Sequence, residues 1–306
     1  MAAPATDLAL PLVSAHDAGA PEAKRRDRLG LGFWLPFGWI ALVVVGALTA
    51  PWLKSVPGIR LQPATKSLPG RRVVGAMPSM KHWLGTDDIG RDMFSRIVWG
   101  GRVALAVGVV SVVFAMLIGG VLGMLAAYYR GKAEFVIMTL VSTLLAFPAL
   151  ILVIAITAFL GHDLSKITLA IAVVAIPAFA RISYANTLSV AQREYVMAAR
   201  SLGAKDARIL LREILPNVIL PLSAFALVVT AVAIVAEGSL AFLGQSLDRP
   251  KPSWGTMIND GRKLLTQRGI WTVTFIPSAV MFLTVLSLNL IGERLRKKVD
   301  PREARA

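Results

Sequence analysis

The sequence has no cysteine, and it has only three histidines, His16, His82 and His162. Without thiols, disulfides, thiolate metal sites and cysteine nucleophiles are all excluded. The imidazoles lie far apart, each in a tail or a connection, which argues against a histidine-based metal or catalytic centre. No G-x-x-x-x-G-K-[ST] stretch occurs, so the chain lacks the phosphate-cradling backbone and lysine that would hold ATP. Charge is scarce as well, at 17% of 306 residues. Only one acid, Glu237 in "VAEGSLAFLG", stands well inside an apolar run. An intramembrane acid is a candidate pathway or gate residue by default, although near the outer end of its span it could equally hydrogen-bond within a bundle.

Apolar residues take the place of what is missing: 56% of the chain is hydrophobic. A hydrocarbon core of roughly 30 Å needs stretches of about 17–25 apolar residues, and several are present. The runs predict spans at Phe33–Leu53, Val103–Tyr129, Phe135–Leu160, Ile167–Ile182, Val218–Leu243 and Ile270–Gly292, an all-α integral membrane fold with six transmembrane helices. The formal charge of +15 does not point to nucleic acid, because the basic residues sit between apolar runs and no basic face is interleaved with aromatics. Clusters at Lys24–Arg28 and Arg294–Lys298 place both termini in the cytoplasm by the positive-inside rule.

The chain divides accordingly. Residues 1–30 read as a disordered cytoplasmic tail, 31–102 as the first span and an extracytoplasmic connection, 103–292 as a five-span core containing a loop at 190–216, and 293–306 as a basic cytoplasmic tail. Within the connection, Thr86 or Asp88 can cap an amphipathic helix with Met93, Phe94, Ile97 and Val98 on one side and Arg91, Asp92, Ser95 and Arg96 on the other. Such a helix can lie on the outer membrane surface. Capping and ion pairs account for Asp87, Asp88 and Asp92 without a cation. In the second span Ser111, Ala115, Gly119, Gly123 and Ala127 recur every four residues, a ridge that lets another helix approach closely, with the same bundle as the expected neighbour. Pro148, Pro177, Pro221 and Pro277 fall inside spans and predict kinks.

The least lipid-like stretch between spans is "EYVMAARSLGAKDARILLREILPNV", residues 194–218. Tyr195, Ala198, Ala199 and Leu202 fall on one helical face, Gly203 stops that helix, Asp206 can cap the next and Pro216 ends it. Ala198 and Ala199 bury too little area to anchor a core but permit close backbone approach, as a groove on another protein would require. A hairpin tied at both ends to membrane spans is poorly placed to enter a DNA groove.

These residues resemble the cytoplasmic coupling loop of ABC importer permeases, whose pattern is Glu-Ala-Ala, three residues, Gly, nine residues, Ile-x-Leu-Pro. Ala198, Ala199, Gly203, Leu215 and Pro216 match; Met197 stands at the glutamate position and Ile214 is displaced by one. "HWLGTDDIGRDMFSRIVWGGRVAL" (82–105) and "PKPSWGTMI" (250–258) are similar to segments of the dipeptide and oligopeptide C-type subunits. The resemblance implies a type I importer permease with a cytoplasmic coupling-helix hairpin, in which Tyr195, Met197, Ala198, Ala199, Leu202, Gly203, Ala204, Asp206, Arg208 and Pro216 meet an ATPase. It implies a multi-pass subunit of a bacterial inner or plasma membrane, taking up di- or oligopeptides by alternating access, with nickel or glutathione as alternative solutes. Its partners would be a homologous second permease, two cytoplasmic ATPases or one fused, an extracytoplasmic binding protein and the lipid bilayer. The chain itself would bind no cofactor and perform no catalysis, with ATP and Mg held by the ATPases. A self-sufficient secondary transporter is the rival, and would be expected to show internal repeats or several polar residues near the midplane. Neither is evident in the sequence.

Overall fold

A computed structural model describes residues 31–52, 75–80, 82–245 and 251–299. The expected tail at 1–30, the residues beyond 299 and the first part of the connection, 54–74, lie outside the described residues. Among the described residues every regular element is helical, apart from an isolated bridge between Thr86 and Asp92. The elements are α1 (Leu31–Thr49), α2 (Met93–Tyr129), α3 (Gly131–Leu145), α4 (Ala149–Leu160), α5 (Leu164–Ala191), α6 (Glu194–Ser201), α7 (Asp206–Phe242), α8 (Trp254–Arg268) and α9 (Thr272–Val299). Five of these are long and apolar enough to cross a bilayer, and a sixth crossing results if α3 and α4 count as one broken span.

That break corrects the expected third span. Phe135–Leu160 is no continuous helix, because α3 and α4 meet at 91°. Pro148 lacks an N–H and disfavours the helical conformation at Phe147, so the chain turns and restarts with Leu152 N donating to the Pro148 carbonyl at 3.0 Å. Pro177, Pro221 and Pro277 remain inside α5, α7 and α9.

The small-residue ridge of α2 faces the chain's own bundle. Ser111, Ala115, Gly119, Gly123 and Ala127 are all buried, and α2 against α5 is the most extensive helix contact. At Gly119 and Gly123 there is no room for a side chain: an added Cβ would strike the carbonyl oxygens of Ile176 and Ala180, respectively. Backbone therefore lies directly on backbone. A first core forms around Phe179, Ile167, Val107 and Ile214, where α2, α5 and α7 meet. A second surrounds Trp254, Met257, Met93 and Ile234, and joins α2, α7, α8 and α9.

The amphipathic segment before the second span is not a separate surface helix. Met93–Leu105 continues through a π-helical stretch, Ala106–Val110, into Ser111–Tyr129 as a single rod. Its N-cap is Asp92, whose carboxylate accepts from Ser95 N at 2.8 Å, rather than Asp88 or Thr86. The side expected to be polar and solvated is instead buried, with Arg91 at 4% and Arg96 at 2% exposure. Both arginines reach Asp87, itself 1% exposed, and Asp260 of α8 lies 3.7 Å from Arg91 and 3.5 Å from Arg96. Part of the stretch 250–258 is thus helix: α8 starts at Trp254 on a capping box in which Ser253 and Thr256 exchange side-chain and backbone bonds. Trp254 Nε1 donates to the Ile97 carbonyl at 2.9 Å, locking α8 against α2.

Candidate functional site

The hairpin sits at the end of the bundle opposite the Asp87 cluster, between α5 and α7. Its first arm, α6, presents one inward anchor, Val196, at 1% exposure. Tyr195 (39%), Met197, Ala198 and Leu202 (88%) are exposed, and Ala199 is half-buried. Of the predicted small-residue face, Ala198 is thus open on the outside of the molecule and Ala199 only partly so. Gly203 turns the chain with φ at +79°, a conformation that costs a side-chain-bearing residue roughly 1–2 kcal/mol. Ala204 N then donates to the Ala199 carbonyl at 3.1 Å and Gly203 N to that of Arg200 at 3.0 Å, closing the helix end.

Two expectations about the second arm are corrected. Asp206 does not cap it: the N-cap is Lys205, which makes no side-chain capping bond, and Asp206 lies in the first turn. Its carboxylate is engaged elsewhere, accepting from Tyr128 Oη of α2 at 2.7 Å. Nor does Pro216 end the arm, which runs unbroken into α7. A π-helical stretch, Ile209–Ile214, ends one residue short of the proline, so the ladder is already re-registered where Pro216 offers no N–H.

Tyr128 and Arg200 add a contact that the spacing within the hairpin does not show. The Arg200 guanidinium stands 5.2 Å from the Tyr128 ring centroid, within cation–π range, so one tyrosine at the end of α2 holds both arms of the hairpin. Asn217 Nδ2 donates to Tyr195 Oη at 3.2 Å and adds a tie from α6 to α7. Arg208 and Pro216 are exposed. The hairpin is thus tied to three spanning helices, α5 and α7 through the chain and α2 through Tyr128. Glu237 is remote from this site, buried at 1% exposure in α7.

At the other end, burial alone would raise the Asp87 carboxyl, but the charges of Arg96 and Arg91 and the backbone N–H of Arg91 hold it below the usual carboxylate range. Asp88 moves the other way, pushed up by burial and by the neighbouring charges of Asp260 and Asp87. Both acids pair with the arginines, while Asp92 caps the helix.

Residues 119–305 match the family of binding-protein-dependent transport system inner membrane components. The chain belongs to that family. This permease is 43% identical over 225 residues to the glutathione transport system permease protein GsiD of Pectobacterium atrosepticum, covering 74% of each chain. It is 41% identical over 234 residues to the dipeptide transport system permease protein DppC of Alkalihalophilus pseudofirmus, covering 76% of each. A putative peptide transport system permease of Brucella suis is 36% identical, over 91% of this chain and 88% of the relative. In fold, it superposes on a chain from an inward-facing structure of the MetNI methionine ABC transporter with a TM-score of 0.55 and 20% identity, covering 68% of this chain and 97% of that one. The permease is thus a transport component of an inner membrane, and the secondary-transporter reading is set aside.

Proposed function

We propose that this permease takes up di- or oligopeptides as one subunit of an ATP-driven importer, and that residues 194–216 are its mechanical joint to an ATPase. The observation that carries the reading is the hairpin's double character. Ala198 is exposed on its outer side with Ala199 half-exposed beside it, while Tyr128, Asp206 and Asn217 tie the hairpin to α2 and α7. ATPase closure would move the hairpin, and the hairpin would move the spans around a pathway shared with a homologous second permease. ATP and Mg belong to two ATPases or one fused, and an extracytoplasmic binding protein delivers the solute. The names of the dipeptide and glutathione relatives support a peptide-like solute over nickel.

Ala199→Trp tests the joint, since a bulky ring cannot enter a groove shaped for a methyl group and overpacking costs about 1–3 kcal/mol. The variant is expected to insert normally but to lose substrate-stimulated ATP hydrolysis and peptide uptake, whereas Met197→Glu should be tolerated at its half-exposed position. Wild-type transport by Ala199→Trp with ATPases bound would remove the hairpin from the mechanism.

Orientation has its own measurement. The cysteine-free sequence allows single probes, and Ser201→Cys and Met80→Cys place them on exposed sites at opposite ends of the bundle. With both termini in the cytoplasm, an impermeant thiol reagent should reach the Ser201 probe from the cytoplasmic side and the Met80 probe from outside. Labelling of both from one side would overturn the topology.

A further inference from the structure

Several charged side chains of the long helices take no part in the hairpin or in the Asp87 cluster, Glu237 and Arg181 among them. Arg181 lies on α5, roughly 15 Å along the axis from the Ala191 end at 1.5 Å per residue, directly after the apolar run "ITLAIAVVAIPAFA". Its side chain is exposed on the chain's surface, with Ser142 Oγ of α3 at 3.5 Å. Among the described residues no carboxylate lies within ion-pair distance of it. An arginine at such depth is costly against lipid and almost always faces a water-filled cavity or a protein partner.

The surroundings favour water. Glu134, Thr139 and Ser142 line an open groove along α3, beside Phe135 and Met138. Tyr184, one turn beyond Arg181, donates to Glu134 from across the helix pair. The result is a polar strip on two otherwise apolar helices, with an acid engaged by Tyr184 at one end and a cation among hydroxyls deeper in. A guanidinium presents a planar fork that matches a carboxylate with two parallel hydrogen bonds, and adjacent hydroxyls can donate to the same oxygens.

We propose that Arg181 lines the translocation pathway and recognises a carboxylate of the transported solute, with the Ser142 hydroxyl as a supporting donor. The inference rests on the importer reading above and sharpens it. The carboxylate can be the C-terminal group of a peptide or a carboxylate of glutathione, whereas a bare divalent metal ion would be repelled.

The test uses the complete importer, with cysteine-free partners and its binding protein, in proteoliposomes. Arg181→Cys should lower dipeptide uptake at least 10-fold while ATP hydrolysis stimulated by loaded binding protein continues. Arg181→Lys, which keeps the charge without the fork, should lose less. A methanethiosulfonate carrying a trimethylammonium group should restore part of the uptake by returning a positive charge, and its sulfonate analogue should not. Transport of dipeptide should slow labelling. An unreactive cysteine would mean that the position faces lipid, and equal effects of both reagents would mean that charge is irrelevant. Failure of the complex to assemble with Arg181→Cys would mean that Arg181 pairs with an acid of the second permease. Each of these overturns the proposal. If the wild type moves nickel ions but neither dipeptide nor glutathione, the solute reading fails and Arg181 as a carboxylate site fails with it. If dipeptide uptake is unchanged in Arg181→Cys, only the Arg181 proposal fails.

Discussion

Gly123→Val should remove most of the folded permease that survives mild detergent extraction, the largest effect expected of any single substitution in the bundle. A Cβ at Gly123 overlaps the Ala180 carbonyl and comes within 2.8 Å of both Ser183 Cβ and Tyr184 N. Most of what it meets is backbone or the root of a side chain, so no rotamer change relieves the clash and α2 and α5 must move apart. Overpacking of well-packed cores costs about 1–3 kcal/mol when side chains can shift, and here it should exceed about 3 kcal/mol because they cannot. Separation also forfeits the close contact along the ridge from Ser111 to Ala127, and in lipid no hydrophobic effect between helices compensates for lost packing. Gly46→Val is the matched control: it lies in spanning helix α1 with nothing within 4 Å of its added Cβ, and should extract like the wild type. Equal thermal stability of the two variants in detergent would refute backbone-to-backbone contact between α2 and α5 at Gly123.

Asp87→Ala should destabilise the permease by about 3–5 kcal/mol, as expected when one partner of a buried ion pair is removed and the other charges stay buried. Asp87 accepts from Ile89 N at 3.1 Å, from Arg91 N at 2.7 Å and from Arg91 Nε at 2.6 Å, and also binds the Arg96 guanidinium. Without it, Arg91 and Arg96 would share Asp260 and Asp88 at ion-pair distances of 3.5–3.7 Å, too long to replace those bonds. The start of α2 and the buried face of α8 would loosen together. Asp163→Ala, which breaks the exposed pair with Lys166, should cost less than about 1 kcal/mol. Thermal unfolding of the two variants beside the wild type checks the contrast, and similar shifts would refute a buried network. The pH dependence follows in sign. Because Asp87 titrates below its ordinary range in the folded chain, its stabilisation is full above the unfolded pKa and fades as pH falls through the lowered folded value.

The sequence by itself determined the class of the molecule. Apolar runs long enough for a bilayer dictate helices, because hydrocarbon offers no other partner for backbone groups. The four-residue spacing of small residues on α2 announced a close helix contact, and Gly203 with Ala198 and Ala199 announced the hairpin and its outward face. Those signals are local, carried by residues near one another in sequence. What only the tertiary structure decided depends on residues that are distant in sequence. Asp206 reads as a helix cap until Tyr128 is brought within 2.7 Å of it, and Pro216 reads as a helix end until a π-helical stretch absorbs its missing donor. Arg91 and Arg96 read as the wet side of a surface helix because their period matches one. They are buried because α8 brings Asp260 beside Asp87, and a charge leaves water only when such partners meet it. Arg181 carried a sequence signal, a cation closing an apolar run, but its setting came from the antiparallel packing of α3 on α5, which no pattern within either helix encodes.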